Sequence, residues 1–293
     1  MNPLRLLIHC NKNQVTGMGH YTRCLALADQ AIQRGHILSF VGDTNPRMGA
    51  ISHFPAQPND STAFIKAAKS FQPDWTIVDL PGDLPLYIGD VRGRLCVIDG
   101  LGHSGNIKPD LVISQGFEGE YCAPKYLILR QALARYKGIP KDNRWLVYGG
   151  AADELGLLHA FNRVMADHLA NLLITEYNHS IFERVKGHII VKGTGDASLG
   201  WIAGSDMAAC HLGMIVFELL YFGVKTFVFS KSKRHLDTAL DMYRRGMVMA
   251  WPEIGLPPDD KLREFLLLPF EASGEMDIDL EGARRVMELM EAG

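Results

Sequence analysis

A glycine-rich turn with a histidine and an arginine holds the residue types best suited to chemistry. The run Thr16-Gly17-Met18-Gly19-His20-Tyr21-Thr22-Arg23 follows the first apolar segment of the chain. Glycines let a backbone approach a ligand, and the amino end of a following helix favours an anion. An imidazole there can act as a general base near neutral pH, so we predict His20 as the catalytic base. Gly17, Gly19 and Arg23 are predicted to bind substrate; the alternative is a surface turn without chemistry.

Asp79 and a short basic run also place charged side chains where a ligand can bind. Asp79 closes the apolar run Trp75–Asp79, and in open α/β sheets ligands bind beyond the carboxyl ends of the strands. We predict Asp79 as a substrate-binding residue; the alternative is an Asp that caps the following turn. The run Lys231-Ser232-Lys233-Arg234 precedes a predicted helix. Arg234 would pair with a phosphate, or the run would form a solvated helix face.

The elements that must position these residues alternate between strands and helices. Apolar runs at Leu4–Cys10 and Ile37–Gly42 are typical of buried parallel strands. Between them, apolar residues that recur at helical spacing predict a helix from His20 to Arg34. Strand, helix and strand in this order form a βαβ unit. The alternation continues with a helix at Ser61–Phe71 and with strands at Trp75–Asp79, Leu95–Asp99, Leu111–Ser114 and Tyr126–Leu129.

A polar segment with Gly and Pro, Lys137–Asn143, separates this series from a second one and is predicted to be a linker. The second series predicts strands at Arg144–Tyr148, Asn171–Thr175, His188–Val191, Asp206–Cys210 and Lys225–Phe229. It predicts helices at Leu155–Leu169, Met214–Phe222, Leu236–Arg245, Lys261–Leu268 and Asp279–Met290. We therefore predict an α/β fold of two doubly wound parallel-sheet domains, residues 1–138 and 139–293, that face a cleft.

The composition argues against several other classes of protein. The 293 residues carry 30 Lys and Arg against 33 Asp and Glu, a formal net charge of −3, so bulk charge does not favour nucleic-acid binding. The five cysteines include no CxxC pair and no HExxH motif occurs, so we predict no metal site and no cofactor. No apolar run approaches ~20 residues, so we expect no membrane span and a cytoplasmic protein.

The glycine-rich turn and the helix after it resemble a known family motif. The run Gly17-Met18-Gly19-His20-Tyr21-Thr22-Arg23-Cys24-Leu25-Ala26-Leu27-Ala28 is similar to the G-x-G-H-x-x-R-x-x-x-L-A opening of the UDP-sugar hydrolases of pseudaminic acid biosynthesis and of the spore-coat polysaccharide proteins. Both resemble GT-B glycosyltransferases of the MurG type. The run Arg34-Gly35-His36-Ile37-Leu38-Ser39-Phe40 resembles the same family's RGH-x-x-x-F pattern. The resemblance implies a GT-B-like fold with His20 as the general base.

Looser resemblances in the second half imply the residues that hold the nucleotide. Gly149-Gly150 followed by Asp153 resembles the family's G-G-x-D with one extra residue, and Asp206 through Glu218 resembles D-x-x-I-x-x-x-G-x-T-x-x-E. Lys233-Arg234-His235 stands where the family has Asn-Gln. A carboxylate at Glu218 would accept the ribose hydroxyls. The resemblance thus implies five substrate-binding residues in this half, namely Gly150, Gly213, Glu218, Arg234 and His235.

The resemblance implies a nucleotide-sugar hydrolase that requires no metal. It would release UDP from a UDP-2,4-diacetamido-trideoxyhexose-like substrate in nonulosonate and surface-polysaccharide biosynthesis, with His20 activating water. Two departures keep alternatives open: Leu80-Pro81 follows Asp79 where the family has Asp-x-Tyr, and Met214-Ile215-Val216 replaces a run with a hydroxyl. The alternatives are a GT-B glycosyltransferase with a UDP-sugar donor and a non-catalytic nucleotide-sugar-binding homologue.

Overall fold

The structure is a computed structural model of the chain. It describes residues 2–12, 18–43, 51–57, 60–80, 84–90, 93–99, 107–175, 188–192, 196–270 and 277–293. Gly17, predicted to bind substrate, lies outside these ranges. The chain divides into two compact units, which we call the N-terminal unit (Met1–Gln131 with Asp279–Gly293) and the C-terminal unit (Ala132–Ile278).

The N-terminal unit is built on a six-stranded parallel sheet in the order β3-β2-β1-β4-β5-β6. The strands are β1 (Arg5–Cys10), β2 (Ile37–Gly42), β3 (Ser52–Pro55), β4 (Trp75–Asp79), β5 (Arg94–Asp99) and β6 (Leu111–Ser114). A parallel sheet must be covered on both faces. Helix α1 (Gly19–Gln33) packs on one face and helix α2 (Ser61–Phe71) on the other.

The C-terminal unit repeats this architecture with the strand order β12-β11-β10-β7-β8-β9, all parallel. Its strands are β7 (Trp145–Tyr148), β8 (Ala170–Ile174), β9 (His188–Lys192), β10 (Met207–His211), β11 (Lys225–Ser230) and β12 (Met249–Ile254). Its helices are α3 (Leu157–Val164), α4 (Leu199–Gly204), α5 (Met214–Tyr221), α6 (Lys233–Arg244) and α7 (Asp259–Leu266). The predicted α/β class with two Rossmann-like parallel-sheet domains is confirmed.

The last helix, α8 (Gly282–Ala292), belongs to the N-terminal unit. Its buried residues Val286, Met287 and Met290 join the core that α1 forms with the sheet. The indole Nε1 of Trp75 on β4 donates to the carbonyl of Met290 at 3.2 Å. The division of the chain therefore differs from the predicted bounds of 1–138 and 139–293, because the final residues return to cover the first sheet.

The predicted linker Lys137–Asn143 is packed into the C-terminal unit. The ammonium of Lys141 donates to the carbonyls of Ala203 and Phe222, which close helices α4 and α5. The backbone N–H of Asp142 donates to the carbonyl of Gly204 at 2.9 Å. Polar residues in this segment therefore cap helices, and the change of unit comes earlier, after Gln131.

The predicted strand at Tyr126–Leu129 is wrong. The side chain of Gln115 forms hydrogen bonds with the backbone of this segment instead. The Gln115 Oε1 accepts from the N–H of Ile128 at 2.9 Å, and its Nε2 donates to the carbonyl of Tyr126 at 3.3 Å. The segment is buried as an irregular stretch because an amide side chain supplies the hydrogen-bond partners that a neighbouring strand would otherwise supply.

Within the described ranges, no helix is both long and apolar enough to span a membrane.

Candidate functional site

His20 lies against the carboxylate of Asp79 in the N-terminal unit. His20 is in the first turn of α1, and Asp79 is the last residue of β4. Their Nδ1 and Oδ1 atoms are 2.5 Å apart. Asp79 is fully buried, whereas 21% of the His20 side chain is exposed. A buried carboxylate therefore holds an imidazole that solvent can reach.

The sheet topology brings the two residues together although they are 59 positions apart. Strands β1 and β4 are neighbours, and Cys10 stands opposite Asp79 in their ladder. Because the chain leaves the carboxyl end of β1 to enter α1, the first turn of that helix lies over the carboxyl end of β4. Gly19 is the first residue of α1, directly before His20.

Arg23 binds the same carboxylate from one turn further along α1. Its Nε donates to Asp79 Oδ2 at 2.9 Å and its Nη2 to Oδ1 at 2.7 Å; the Nη2 atom is also 3.1 Å from His20 Nδ1. A guanidinium only donates, so a hydrogen bond from Nη2 to His20 would require an unprotonated Nδ1. An unprotonated Nδ1 would then lie 2.5 Å from the ionised Asp79 Oδ1 with no proton between the two atoms. The short approach of His20 Nδ1 to Asp79 therefore requires a proton on Nδ1. In the neutral ring, Nε2 then carries the lone pair.

Asp79 is ionised in this arrangement. Burial raises the pKa of its carboxyl, but the charge of Arg23 and the hydrogen bonds from His20 and Arg23 outweigh that effect, and the pKa lies below its ordinary value. The thiol of Cys24 adds a weak contact, with Sγ 3.9 Å from Oδ2. Arg23 and Asp79 were predicted from the sequence to touch substrate; in the structure they contact each other and His20.

A second histidine of this unit, His9, was missed by the sequence reasoning. It is fully buried on β1, with Nδ1 3.1 Å from the carbonyl of Val41 and Nε2 3.2 Å from the hydroxyl of Tyr87. Burial lowers its pKa to about 4, so it is neutral at physiological pH. The two contacts of His9 give it a structural role, because its Nδ1 donates to the Val41 carbonyl and its Nε2 then accepts from the Tyr87 hydroxyl.

In the C-terminal unit, the candidate residues follow the neighbouring strands β7, β10 and β11. After β7, the carboxylate of Asp153 accepts from the N–H groups of Leu157 and Leu158 at 2.9 and 3.2 Å and so caps α3. A Cβ on Gly149 would lie 1.7 Å from Asp153 Oδ1, so any side chain at this position would have to displace the Asp153 carboxylate. Gly150, predicted to bind substrate, has φ +82°, a conformation that also favours glycine. The Gly-Gly-x-x-Asp run is thus built to cap a helix.

His211 ends β10 and was not among the predicted site residues. Its side chain lies beside Gly150, where a Cβ would be 3.3 Å from Nδ1. The residue is 7% exposed, and its Nε2 has no hydrogen-bond partner among the residues that the structure describes. Burial and the nearby ammonium of Lys231 lower the pKa of His211 to about 4, so the ring is neutral. A buried, unsatisfied ring nitrogen is costly, and a ligand donor or acceptor would relieve that cost.

Beyond β11, Ser232 organises the predicted residue His235. The Ser232 hydroxyl oxygen accepts from the backbone N–H of His235 at 3.3 Å and caps α6. The same oxygen is 2.6 Å from His235 Nδ1. Burial and the neighbouring charges of Lys231 and Arg234 lower the pKa of His235. In the tautomer in which the hydroxyl donates to Nδ1, Nε2 carries a proton that can be donated to an anion. Lys231 itself pairs with Glu154 at 2.9 Å.

Gly213 and Glu218 lie at and within helix α5. Gly213 precedes the helix with extended backbone, and a Cβ there would meet no atom of the described residues within 4 Å. Glu218 is 5% exposed. The first turn consists of Met214, Ile215 and Val216, so only backbone amides are available to an anion at this end.

The structure thus gathers the predicted residues into two groups. His20, Arg23 and Asp79 contact one another in the N-terminal unit. The ends of β7, β10 and β11 bring together Gly150, Gly213 and the segment with Arg234 and His235 in the C-terminal unit. The described part of the chain contains no cluster of three or more His, Cys, Asp or Glu side chains able to hold a metal ion.

No family model and no curated protein matches the sequence. Several solved structures share the fold. The Methanocaldococcus jannaschii UDP-GlcNAc 2-epimerase in complex with UDP-GlcNAc and UDP has a TM-score of 0.64 at 8% identity, covering 99% of this chain and 100% of that one. The glycotransferase of kitacinnamycin has a TM-score of 0.61 at 14% identity, covering 99% and 95%. The calicheamicin glycosyltransferase CalG4 has a TM-score of 0.59 at 13% identity, covering 99% and 94%. The chain therefore has the GT-B fold, as predicted.

Proposed function

We propose that this protein is a nucleotide-sugar hydrolase that releases UDP from a UDP-2,4-diacetamido-trideoxyhexose-like substrate, in nonulosonate or surface-polysaccharide biosynthesis in the cytoplasm. The observation that carries the proposal is the accessible His20 imidazole, held at Nδ1 by the buried Asp79 carboxylate. The surrounding motif resembles that of UDP-sugar hydrolases. A structure of the same fold, the Methanocaldococcus jannaschii epimerase, holds UDP-GlcNAc and UDP.

In this proposal His20 acts as the general base. Its Nε2 takes a proton from water while the water oxygen attacks the anomeric carbon. The bond from that carbon to the β-phosphate oxygen breaks, and its electron pair leaves with UDP. A single displacement of this kind inverts the configuration at the anomeric carbon. Asp79 keeps the proton on Nδ1 and stabilises the imidazolium that forms.

The C-terminal unit would hold the nucleotide. Backbone amides at Gly150 and at the start of α5, beside Gly213, would donate to the diphosphate. Arg234 and the protonated Nε2 of His235 would add side-chain donors, and Glu218 would accept the ribose hydroxyls. No nucleic acid and no cofactor enters this mechanism.

A glycosyltransferase is the second candidate, because glycosyltransferases are among the solved structures with this fold. An acceptor hydroxyl would then replace water at His20. A non-catalytic nucleotide-sugar-binding protein is the third, and it is motivated by the absence of a hydroxyl in the first turn of α5.

UDP release from a panel of UDP-sugars, measured in ¹⁸O-labelled water, separates the three. A hydrolase releases UDP without an acceptor and places ¹⁸O on the sugar. A glycosyltransferase releases UDP only when an acceptor is added. A binding protein gives heat on titration with UDP but no turnover, and the absence of binding to every UDP-sugar rejects all three.

The His20→Ala variant tests the catalytic assignment. Loss of a general base lowers rates by about 10²–10⁴-fold, and full turnover in this variant would make the assignment wrong. His168→Ala is a matched control, because His168 also has Nδ1 near an Asp carboxylate, that of Asp167 at 3.0 Å, but lies partly exposed in the C-terminal unit, away from Asp79 in the sequence. We expect the control to leave turnover unchanged.

A further inference from the structure

Arg23 is committed to Asp79 in a geometry that leaves it poorly suited to bind a ligand phosphate. Two of its nitrogens form a fork on the two carboxylate oxygens, at 2.9 and 2.7 Å. The Arg23 side chain is 6% exposed and the Asp79 side chain is not exposed. Bidentate pairing of a guanidinium with a carboxylate is strong and directional. The main effect of the Arg23 guanidinium is therefore on the charge of the Asp79 carboxylate.

The cation also acts on His20 through the shared carboxylate oxygen. Asp79 Oδ1 accepts from both Arg23 Nη2 and His20 Nδ1. An unneutralised buried carboxylate at 2.5 Å would strongly favour a positive imidazolium, because opposite charges at this distance stabilise each other. Arg23 neutralises that carboxylate, and its Nη2, 3.1 Å from Nδ1, further disfavours a second positive charge. Both effects oppose a positive charge on the ring.

Three thiols also lie near Asp79. Cys10 stands opposite it in the β1–β4 ladder, the Cys24 thiol approaches it from α1, and the Cys96 thiol on β5 is close enough to be affected by its charge. All three are buried, and burial raises the pKa of Cys24 and of Cys96, so these two are neutral at physiological pH. Arg23 and Asp79 therefore set the charge around the imidazole.

We propose that Arg23 is a positioning residue that keeps the His20 imidazole neutral, and so ready to accept a proton, by neutralising Asp79. This inference rests on the proposed function of His20 as a base. It assigns to Arg23 a role through Asp79 and not a contact with the substrate diphosphate. A base that was already protonated at neutral pH could not take a proton from water.

The test compares Arg23→Gln with Arg23→Lys. In Arg23→Gln, the His20 ring should take up its proton at a pH higher by about one unit or more, the usual effect of an uncompensated carboxylate at contact distance. UDP release should then fall about tenfold for each unit on the acid side and recover at high pH. Arg23→Lys keeps the charge and should move the acid side much less. An unchanged pH profile with a raised KM would overturn the proposal in favour of phosphate binding.

Histidine NMR of the protein without ligand keeps this test independent of the proposed activity. The His20 signal is identified by its loss in His20→Ala, and its titration is followed in both Arg23 variants. If no UDP-sugar is turned over, the proposed function fails while the NMR titration still decides the role of Arg23. An unshifted His20 titration in Arg23→Gln overturns the proposal.

A double variant covers the case in which Arg23→Gln does not fold. Arg23→Gln with Asp79→Asn removes both charges, so no unpaired buried charge remains. Its His20 titration should return toward that of the wild type, because the carboxylate and the cation are both gone. A titration displaced upward by about one unit in the double variant as well would contradict the proposal.

Discussion

Helix α8 offers a direct test of which sheet it stabilises. Met287 is 1% exposed and packs in the core that α1 forms with the first sheet. Truncation of such a residue to Ala removes its buried apolar surface and leaves a cavity, which costs about 2–5 kcal/mol. We expect Met287→Ala to lower the free energy of unfolding of the N-terminal unit by this amount and to leave the C-terminal unit unchanged.

Hydrogen exchange followed by mass spectrometry can read the two units separately. Amides of central strands exchange only when their unit opens, so their rates report its free energy of unfolding. A loss of about 2 kcal/mol corresponds to about thirtyfold faster exchange. We expect this acceleration in peptides that contain β1 and β4, and not in peptides that contain β7 and β10.

A reciprocal variant serves as the matched control. Met242 on α6 is 0% exposed and belongs to the C-terminal unit. Met242→Ala should therefore accelerate exchange in β7 and β10 and spare β1 and β4. If Met287→Ala instead loosened the C-terminal strands, the assignment of α8 to the N-terminal unit would be refuted.

Three further predictions follow from single contacts. Gly149→Ala should cost the C-terminal unit about 2 kcal/mol in urea unfolding, because the new Cβ displaces the Asp153 carboxylate from the helix it caps. Burial raises the pKa of Asp153 to about 6, above its value in the unfolded chain, so this group adds stability as the pH falls through 6. Asp153→Asn should therefore remove the increase in the free energy of unfolding between about pH 7 and about pH 5. Glu291→Gln should lower the melting temperature of the N-terminal unit through a loss of about 1.5–3 kcal/mol, because it weakens charged hydrogen bonds to Arg34 and His36; an unchanged melting temperature would show that this cluster is not stabilising.

The sequence predicted the central elements well because local signals define them. Helix α2 has its predicted bounds, Ser61–Phe71, since Asp60 caps it by accepting from the N–H of Ala63 at 2.9 Å. The missed strands β3 and β12 are edge strands, which carry polar residues or a proline and lack a continuous apolar run. Amphipathic spacing predicted the last helix but contains no information on which sheet it covers.

The candidate site was predicted in part for the same reason. His20 and Asp79 were each identified from their positions after apolar runs, but their contact depends on β1 and β4 being neighbours, which no local pattern reveals. His211 was missed because a histidine at the end of an apolar run is usually a packed core residue. Its orphaned Nε2 appears only when the surrounding partners are known.

The two sequence motifs at the ends of helix α1 have different roles. One supplies the proposed base, and the other holds the helix in place. At its amino end, the turn motif supplies His20 and Arg23 to Asp79. At its carboxyl end, the Arg-Gly-His motif fixes the helix: His36 Nδ1 accepts from the N–H of Leu4 at 3.2 Å, so its Nε2 carries the proton donated to Glu291 at 2.9 Å. The imidazole thus ties α1 to the start of β1 and to α8. A helix held at this end keeps its first turn over the end of β4, so the Arg-Gly-His motif supports the position of the proposed base without touching it.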